Sequence, residues 1–199
     1  MAIVAVLFAA PSFAQYSSGG FSLSESTVYY GMRLGLNVSS LTGNDLGDNL
    51  GAKAGLNLAG VIGLRVSEAT PIFLESGLYF TQRGASKDKN TYVDLNYLEI
   101  PILMKYGVQV ADEVAILPFI GPTFSLGIAG KTKMGENMPK ESSFDYCNRA
   151  DVGIKLGCGA EYNKLYLETG YQFGITNIAK ADNASSHNGA FFINIGMNF

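Results

Sequence analysis

Charge is scarce in this chain: charged residues make up 16% of its 199 positions, against about 25% in typical soluble domains. What charge there is sums to −3, which argues against the basic face that nucleic-acid recognition needs. Tryptophan is absent, so 11 tyrosines and 12 phenylalanines supply every aromatic ring. No apolar run approaches the roughly 18 to 20 residues a membrane helix requires. A slightly positive mean hydropathy, +0.15, without such a run is unusual for a soluble protein. Cysteine is limited to Cys147, in a polar segment, and Cys158, on the apolar face of a strand. A chain extended between them spans about 30 Å, beyond disulfide reach, so both are expected to be free. The glycines, 24 in all, precede no helix in a phosphate-binding arrangement.

The first residues, MAIVAVLFAAPSFAQ, read as a secretory signal peptide over 1–14. Ala2 to Ala10 form a short apolar region, Pro11 breaks it, and Ser12-Phe13-Ala14 fits a small-x-small cleavage site before Gln15. No Lys or Arg precedes the apolar run, and no cysteine follows the cleavage site, which argues against a lipid anchor. Residues 15–27 are then a periplasmic N-terminal segment, and 28–199 a single domain.

From Val28 to Phe199 one alternating pattern occurs eight times. In YYGMRLGLNVS, Tyr30, Met32, Leu34, Leu36 and Val38 alternate with Gly31, Arg33, Gly35, Asn37 and Ser39. In DVGIKLGCGAEY, Val152 to Tyr162 alternate with Asp151, Gly153, Lys155, Gly157, Gly159 and Glu161. Each segment runs about 9 to 13 residues, the length of a tilted strand crossing a bilayer. Long polar connections (Thr42–Gly51, Gly84–Asp94, Ala129–Arg149, Ala179–Gly189) alternate with short ones (Ser67–Thr70, Gln109–Val114, Asn163-Lys164). That sorting predicts an all-β fold, an eight-stranded antiparallel up-and-down transmembrane β-barrel of the outer membrane, with long loops outside and both termini periplasmic.

The apolar face is too bulky for the narrow lumen of eight strands, so it is expected to meet lipid. The opposite face, rich in glycine, carries Arg33, Lys53, Arg65, Glu75, Arg83, Glu99, Lys105, Asp151, Lys155, Glu161 and Glu168. Both signs are near balance, which predicts a charge network filling the lumen. Outward aromatics gather at strand ends: Tyr30, Tyr106, Tyr162 and Phe199 toward the periplasmic rim, Phe80, Tyr171, Phe173 and Phe191 toward the outer one. These match the two interfacial girdles of such barrels. One strand, NYLEIPILMK, has Glu99 and Pro101 at its centre. Pro101 cannot donate a ladder bond, which predicts a bulge or a water-satisfied gap.

The motifs YGMRLGLN, LESGLYFTQRGA, NYLEIPILMKYG, FIGPTFSLG and DVGIKLGCGAEY, with an aromatic-terminated last strand, resemble the PorT-like outer-membrane β-barrel family of Bacteroidetes. The resemblance spans nearly all of 28–199 and implies an eight-stranded barrel in the outer membrane.

For function, the residues favour a structural or interaction role over chemistry. The lumen charges read as a structural plug rather than an ion path. His187, beside Ser185 and Ser186, is the only opening for a Ser–His enzyme acting on lipid A or phospholipid. A narrow channel and a soluble lipocalin-like ligand-binding barrel are the rival readings of the same alternation. Asp45 and Asp48 lack EF-hand spacing, and no metal or cofactor is expected. The expected partners are outer-membrane lipid and lipopolysaccharide, the latter through Lys131, Lys133, Lys140 and Arg149 in the third long loop. A protein bound by the loops, and the barrel-assembly machinery reading Phe199, complete the set.

Overall fold

The computed structural model describes residues 28–43, 50–67, 70–111, 113–180 and 185–199. The expected signal peptide, the segment 15–27, and Asp45 and Asp48 lie outside the described residues.

In chain order the elements are β1 (Val28–Thr42), β2 (Gly51–Arg65), β3 (Ile72–Asp88), β4 (Thr91–Tyr106) and a short β5 (Val108–Ala111). Then follow β6 (Val114–Ala129), the short strands β7 (Lys131–Met134) and β8 (Glu141–Ser142), and one helical turn α1 (Ser143–Tyr146). The chain ends with β9 (Ala150–Tyr162), β10 (Leu165–Gly174) and β11 (His187–Asn198). The eight long strands β1, β2, β3, β4, β6, β9, β10 and β11 pair antiparallel in sequence order, and β11 returns to β1. The sheet therefore closes into an up-and-down barrel, which removes both free edges. The first and last strands meet where Tyr30 and Phe199 exchange backbone hydrogen bonds of 3.2 and 2.7 Å. That end also carries the two-residue Asn163-Lys164 turn, with Asn163 at φ 56, a left-handed conformation that asparagine tolerates. We call it the turn end, and the opposite rim the loop end.

Alternation sets the two faces. Arg33, Asn37 and Ser39 are buried, while Met32, Leu34, Leu36 and Val38 are exposed on the outer surface. The same split holds on β9, where Asp151, Lys155 and Glu161 are buried and Val152, Ile154 and Leu156 are exposed. The apolar face points out.

Four local expectations are corrected. Gly84–Asp94 is not a loop: β3 and β4 continue through it to a tight turn at Lys89 and Asn90, with Arg83 opposite Leu95 and Ser86 opposite Tyr92. Ala129–Arg149 contains β7, which extends the sheet against β4, then β8 and α1. Gln109–Val114 is entered by β5, which folds back on β6. Lys53 does not join the lumen network: close to a shift in the β2–β3 register between Ala52 and Asn57, it forms an ion pair with Asp94 at the rim, both about a third exposed (30% and 35%).

Pro101 brings no bulge. On the β3 side the pairing passes from Ser76 opposite Ile102 to Tyr79 opposite Glu99, in unchanged register. On the β6 side it passes from Pro101 opposite Thr123 to Met104 opposite Ile120, again unchanged. The missing N–H interrupts the ladder without requiring an extra residue. The Ser76 hydroxyl donates to the Pro101 carbonyl at 2.7 Å, and Lys105 keeps its inward parity. Beside this gap the walls come close: a Cβ on Gly121 would lie 1.8 Å from the Ile102 carbonyl oxygen. Gly121→Ala is therefore expected to cost about 1 to 3 kcal/mol, read as a lowered midpoint in a urea unfolding titration.

Candidate functional site

Among the described residues, the lumen is where the strands bring the most polar groups together, and its order follows from strand spacing. Residues four apart on one strand share a face about 13 Å apart. Glu75 and Tyr79 on β3 have that spacing, and Glu99 on β4 lies opposite Tyr79. Two buried carboxylates thus sit at two heights, each with its own pair of cations.

Nearer the turn end, Glu75 accepts from the Tyr29 hydroxyl at 2.7 Å and from the Arg33 guanidinium at 3.3 Å. The Lys105 ammonium lies 2.7 Å from its other oxygen and donates to the Tyr166 hydroxyl at 2.8 Å. Arg33 also stacks over the Tyr166 ring at 4.0 Å, an arrangement that favours a desolvated cation. Asn194 and Asn198 donate to Glu168 and Glu161, each at 2.8 Å.

Nearer the loop end, Glu99 is held by Lys155 at 2.8 Å, by Arg83, by the Ser125 hydroxyl at 3.0 Å and by the Gln172 amide at 2.8 Å. Arg83 also reaches Asp151 at 3.5 Å. Asp151 accepts from Asn188 at 2.8 Å and Thr176 at 3.1 Å. Between the two centres, Asn37, Asn57, Thr81 and Asn194 form a neutral hydrogen-bonded belt. A cavity in this region, lined by Tyr79, Arg83, Glu99 and Lys155, measures about 10 Å³, room for roughly one water.

Apolar groups close both mouths. At the turn end Tyr29, Phe73, Ala115, Leu117 and Tyr166 pack together. At the loop end Leu41, Ala85, Val93, Leu95 and Tyr97 meet Phe144, Cys147 and Ile178. The last three come from α1 and its flanks and from the segment after β10, which together form a lid. Ser142 caps α1 by accepting from the Phe144 amide. The Ser143 hydroxyl donates to the Asp94 carbonyl at 2.6 Å, and Asn148 N–H donates to the Ile178 carbonyl at 2.7 Å.

Of the sequence-predicted lumen residues, Arg33, Glu75, Arg83, Glu99, Lys105, Asp151, Lys155, Glu161 and Glu168 are buried inside. Arg65 is not among them: at the end of β2 it is partly exposed and donates to the Ser67 carbonyl at 2.8 Å. Tyr30, Tyr106, Tyr162 and Phe199 lie toward the turn end, and Phe80, Tyr171, Phe173 and Phe191 toward the loop end. The rings of Tyr171 and Phe173 are 4.5 Å apart. The asparagines and tyrosines that satisfy the charges were visible in the sequence only as inward parity. The lid residues carried no periodic signal.

Cys147, expected in a polar segment, is buried in the lid, and burial pushes its thiol up to about 11. Cys158 is exposed on the outward row of β9. Cys158 is open to reagent from the barrel's surface, whereas the lid shields Cys147, so a membrane-soluble maleimide at neutral pH is expected to modify Cys158 in preference to Cys147 in lipid vesicles. Cys147 should react only after unfolding; equal modification of both in the folded barrel, read by mass spectrometry, would contradict the lid.

The Ser185 hydroxyl and His187 Nε2 are 3.2 Å apart at the start of β11. His187 Nδ1 has no hydrogen-bond partner among the described residues, so the carboxylate that orients such a histidine in a hydrolase is not found there. Among the described residues no group of three or more His, Cys, Asp or Glu is placed to hold a metal.

Comparison with solved structures gives outer-membrane barrels. Neisserial surface protein A matches at 16% identity and a TM-score of 0.51, over 87% of this chain and 98% of that one. The attachment invasion locus protein Ail of Yersinia pestis matches at 13% identity and TM-score 0.45, over 87% and 100%. OprG of Pseudomonas aeruginosa matches at 10% identity and TM-score 0.47, over 89% and 98%. At such identities the likeness speaks for the fold alone. Among curated proteins no relative is found. The closed barrel, its apolar outer surface and a family match over residues 13–180 make this chain a member of the outer membrane protein beta-barrel domain family, a protein of the outer membrane.

Proposed function

We propose that this barrel is a rigid outer-membrane scaffold that acts through its loop end, which faces the cell exterior, with both termini in the periplasm. The observation that carries this reading is the filled lumen: two buried carboxylate–cation centres between two apolar closures. A barrel so filled offers its surfaces, not its interior, to partners. The rims meet outer-membrane lipid and lipopolysaccharide, the loops meet a protein partner, and Phe199 is the residue read by the barrel-assembly machinery. The motif resemblance to the PorT-like family of Bacteroidetes is consistent with such an outer-membrane barrel.

Cysteine introduced at Lys89, in the β3–β4 turn, is expected to react with a membrane-impermeant maleimide on intact cells. Cysteine at Asn163 is expected to react only after the outer membrane is permeabilised; the reverse pattern would overturn the orientation. In planar bilayers the purified barrel should give no stepwise conductance, and discrete ion-selective steps would favour a channel. An enzymatic role rests on the Ser185–His187 contact. Under the scaffold reading His187→Ala leaves the cell's lipid A and phospholipid mass profile unchanged, whereas a lost product would favour the enzyme.

A further inference from the structure

On the outward face of β4 the side chains run Met104, Ile102, Ile100, Leu98, then Asn96, Asp94 and Tyr92 toward the loop end. On β3 they run Leu74, Ser76, Leu78, Phe80, then Gln82 and Ser86. The change from apolar to polar falls at the same height on both strands, because Leu98 pairs with Phe80 and Asn96 with Gln82. That step marks the edge of the hydrocarbon. Asp94 stands four residues beyond Leu98, about 13 Å further along the strand. Allowing for strand tilt, this is the headgroup layer, which adds roughly 5 to 8 Å beyond the hydrocarbon on each side.

At that height the β2–β3–β4 wall carries an open pocket of about 510 Å³, lined by Lys53, Ser86, Asp88, Lys89, Tyr92 and Asp94. Its size is that of a small-molecule site. The β2–β3 register shift between Ala52 and Asn57 lies beside it, and Lys53 is the β2 residue that reaches it. Lys53 pairs with Asp94, its ammonium 5.2 Å from the centre of the Tyr92 ring. The pocket thus presents two amines, two carboxylates, a hydroxyl and an aromatic ring.

That set defines its occupant. Two carboxylates oppose a bare anion, and the four charged side chains around the opening make it a poor seat for an acyl chain alone. A ring bearing both hydroxyls and a phosphate satisfies all of it. The amines take the phosphate through charge-assisted hydrogen bonds, the carboxylates and Ser86 take hydroxyls, and Tyr92 packs against the ring. We infer that this pocket holds the phosphorylated sugar headgroup of an outer-leaflet glycolipid. The inference deepens the scaffold reading and rests on the loop end facing outward.

The full chain in detergent is titrated with lipid A, dephosphorylated lipid A and phosphatidylglycerol, and retention is read by native mass spectrometry. Wild type should retain lipid A over both competitors, and Lys53→Ala with Lys89→Ala should weaken it about tenfold. Tyr92→Leu should weaken both forms of lipid A, and Lys87→Ala, outside the pocket, should change nothing. Heat-modifiable migration checks folding; if the Lys53 variant fails it, Lys89→Ala and Tyr92→Leu alone carry the test. Equal retention of lipid A by wild type and the pocket variants overturns the inference, as does equal retention of phosphatidylglycerol. Glucosamine 1-phosphate distinguishes the sources: binding as tight as lipid A would make the ligand a free sugar phosphate and overturn the lipid assignment. Binding in detergent is independent of membrane orientation, so inaccessible Lys89 on cells would defeat the outward reading without touching this result.

Discussion

Replacing Glu99 with alanine is expected to destabilise the barrel by about 3 to 5 kcal/mol, because it leaves two buried cations without their anion. Arg83 and Lys155 both converge on this carboxylate, and all three side chains are nearly sealed from solvent. Arg83 keeps Asp151 at 3.5 Å, but Lys155 is left above the rings of Tyr79 and Phe192 at 4.5 and 5.0 Å. Ring faces offset only a fraction of the cost of burying an ammonium. The measurement is a reversible urea titration in detergent or short-chain lipid. A change under about 1 kcal/mol would mean that the centre is hydrated and the lumen open. The complementary variant changes Glu99, Arg83 and Lys155 together to methionine and Asp151, which Arg83 also serves, to asparagine. Removing a whole buried ion cluster is often neutral or stabilising, so the combined variant should be more stable than Glu99→Ala. If both are equally damaged, shape rather than charge governs the site.

Leu34→Arg is the second large effect, about 2 to 4 kcal/mol for a charge facing hydrocarbon near the bilayer midplane. Leu34 lies halfway along β1, opposite Leu58 and Ile195, with 57% of its surface exposed. In water such a substitution on an exposed strand face would be within about 0.5 kcal/mol of neutral. Val38→Arg, four residues nearer the loop end, should cost only about 0 to 1 kcal/mol. The depth dependence is the diagnostic. A flat response along β1, measured by refolding titrations into vesicles, would return the protein to the soluble lipocalin-like class.

The closed meander was legible in the sequence because period-two alternation survives in all eight long strands, and lipid outside with charge inside leaves no ambiguity of face. Where the structure departs from that reading, the cause is a change of solvent. Alternation marks a strand only while one side meets hydrocarbon. Beyond Asn96 and Gln82 the outward side is polar, so Ser86, Asp88 and Tyr92 resembled a loop although β3 and β4 run on through them. The β2–β3 register shift beside Lys53 left no mark either, since Ala52, Ala54 and Gly55 are small and fit either pairing. Phe144, Cys147 and Ile178 are isolated apolar residues in polar segments, and α1 is a single turn, too short for a 3.6-residue period. Apart from Lys53 and Arg65, both near strand ends, the lumen charges could be placed by parity alone. Their pairing could not, because which cation meets which carboxylate depends on strand stagger.

The seam between β1 and β11 has a consequence for how the protein comes into being. Its pairs join Gly31 to Asn198 and Thr42 to His187, among the most distant partners the chain contains. No closing contact can form until the final strand has been delivered, so the barrel cannot mature progressively from its N-terminus. Until then β1 and β11 are both unpaired edges flanked by bare apolar faces, a combination prone to stick to other chains. Long-range closure of this kind is intrinsically slow. Closure must therefore wait for β11, and those dozen residues act as the latch that ends the wait.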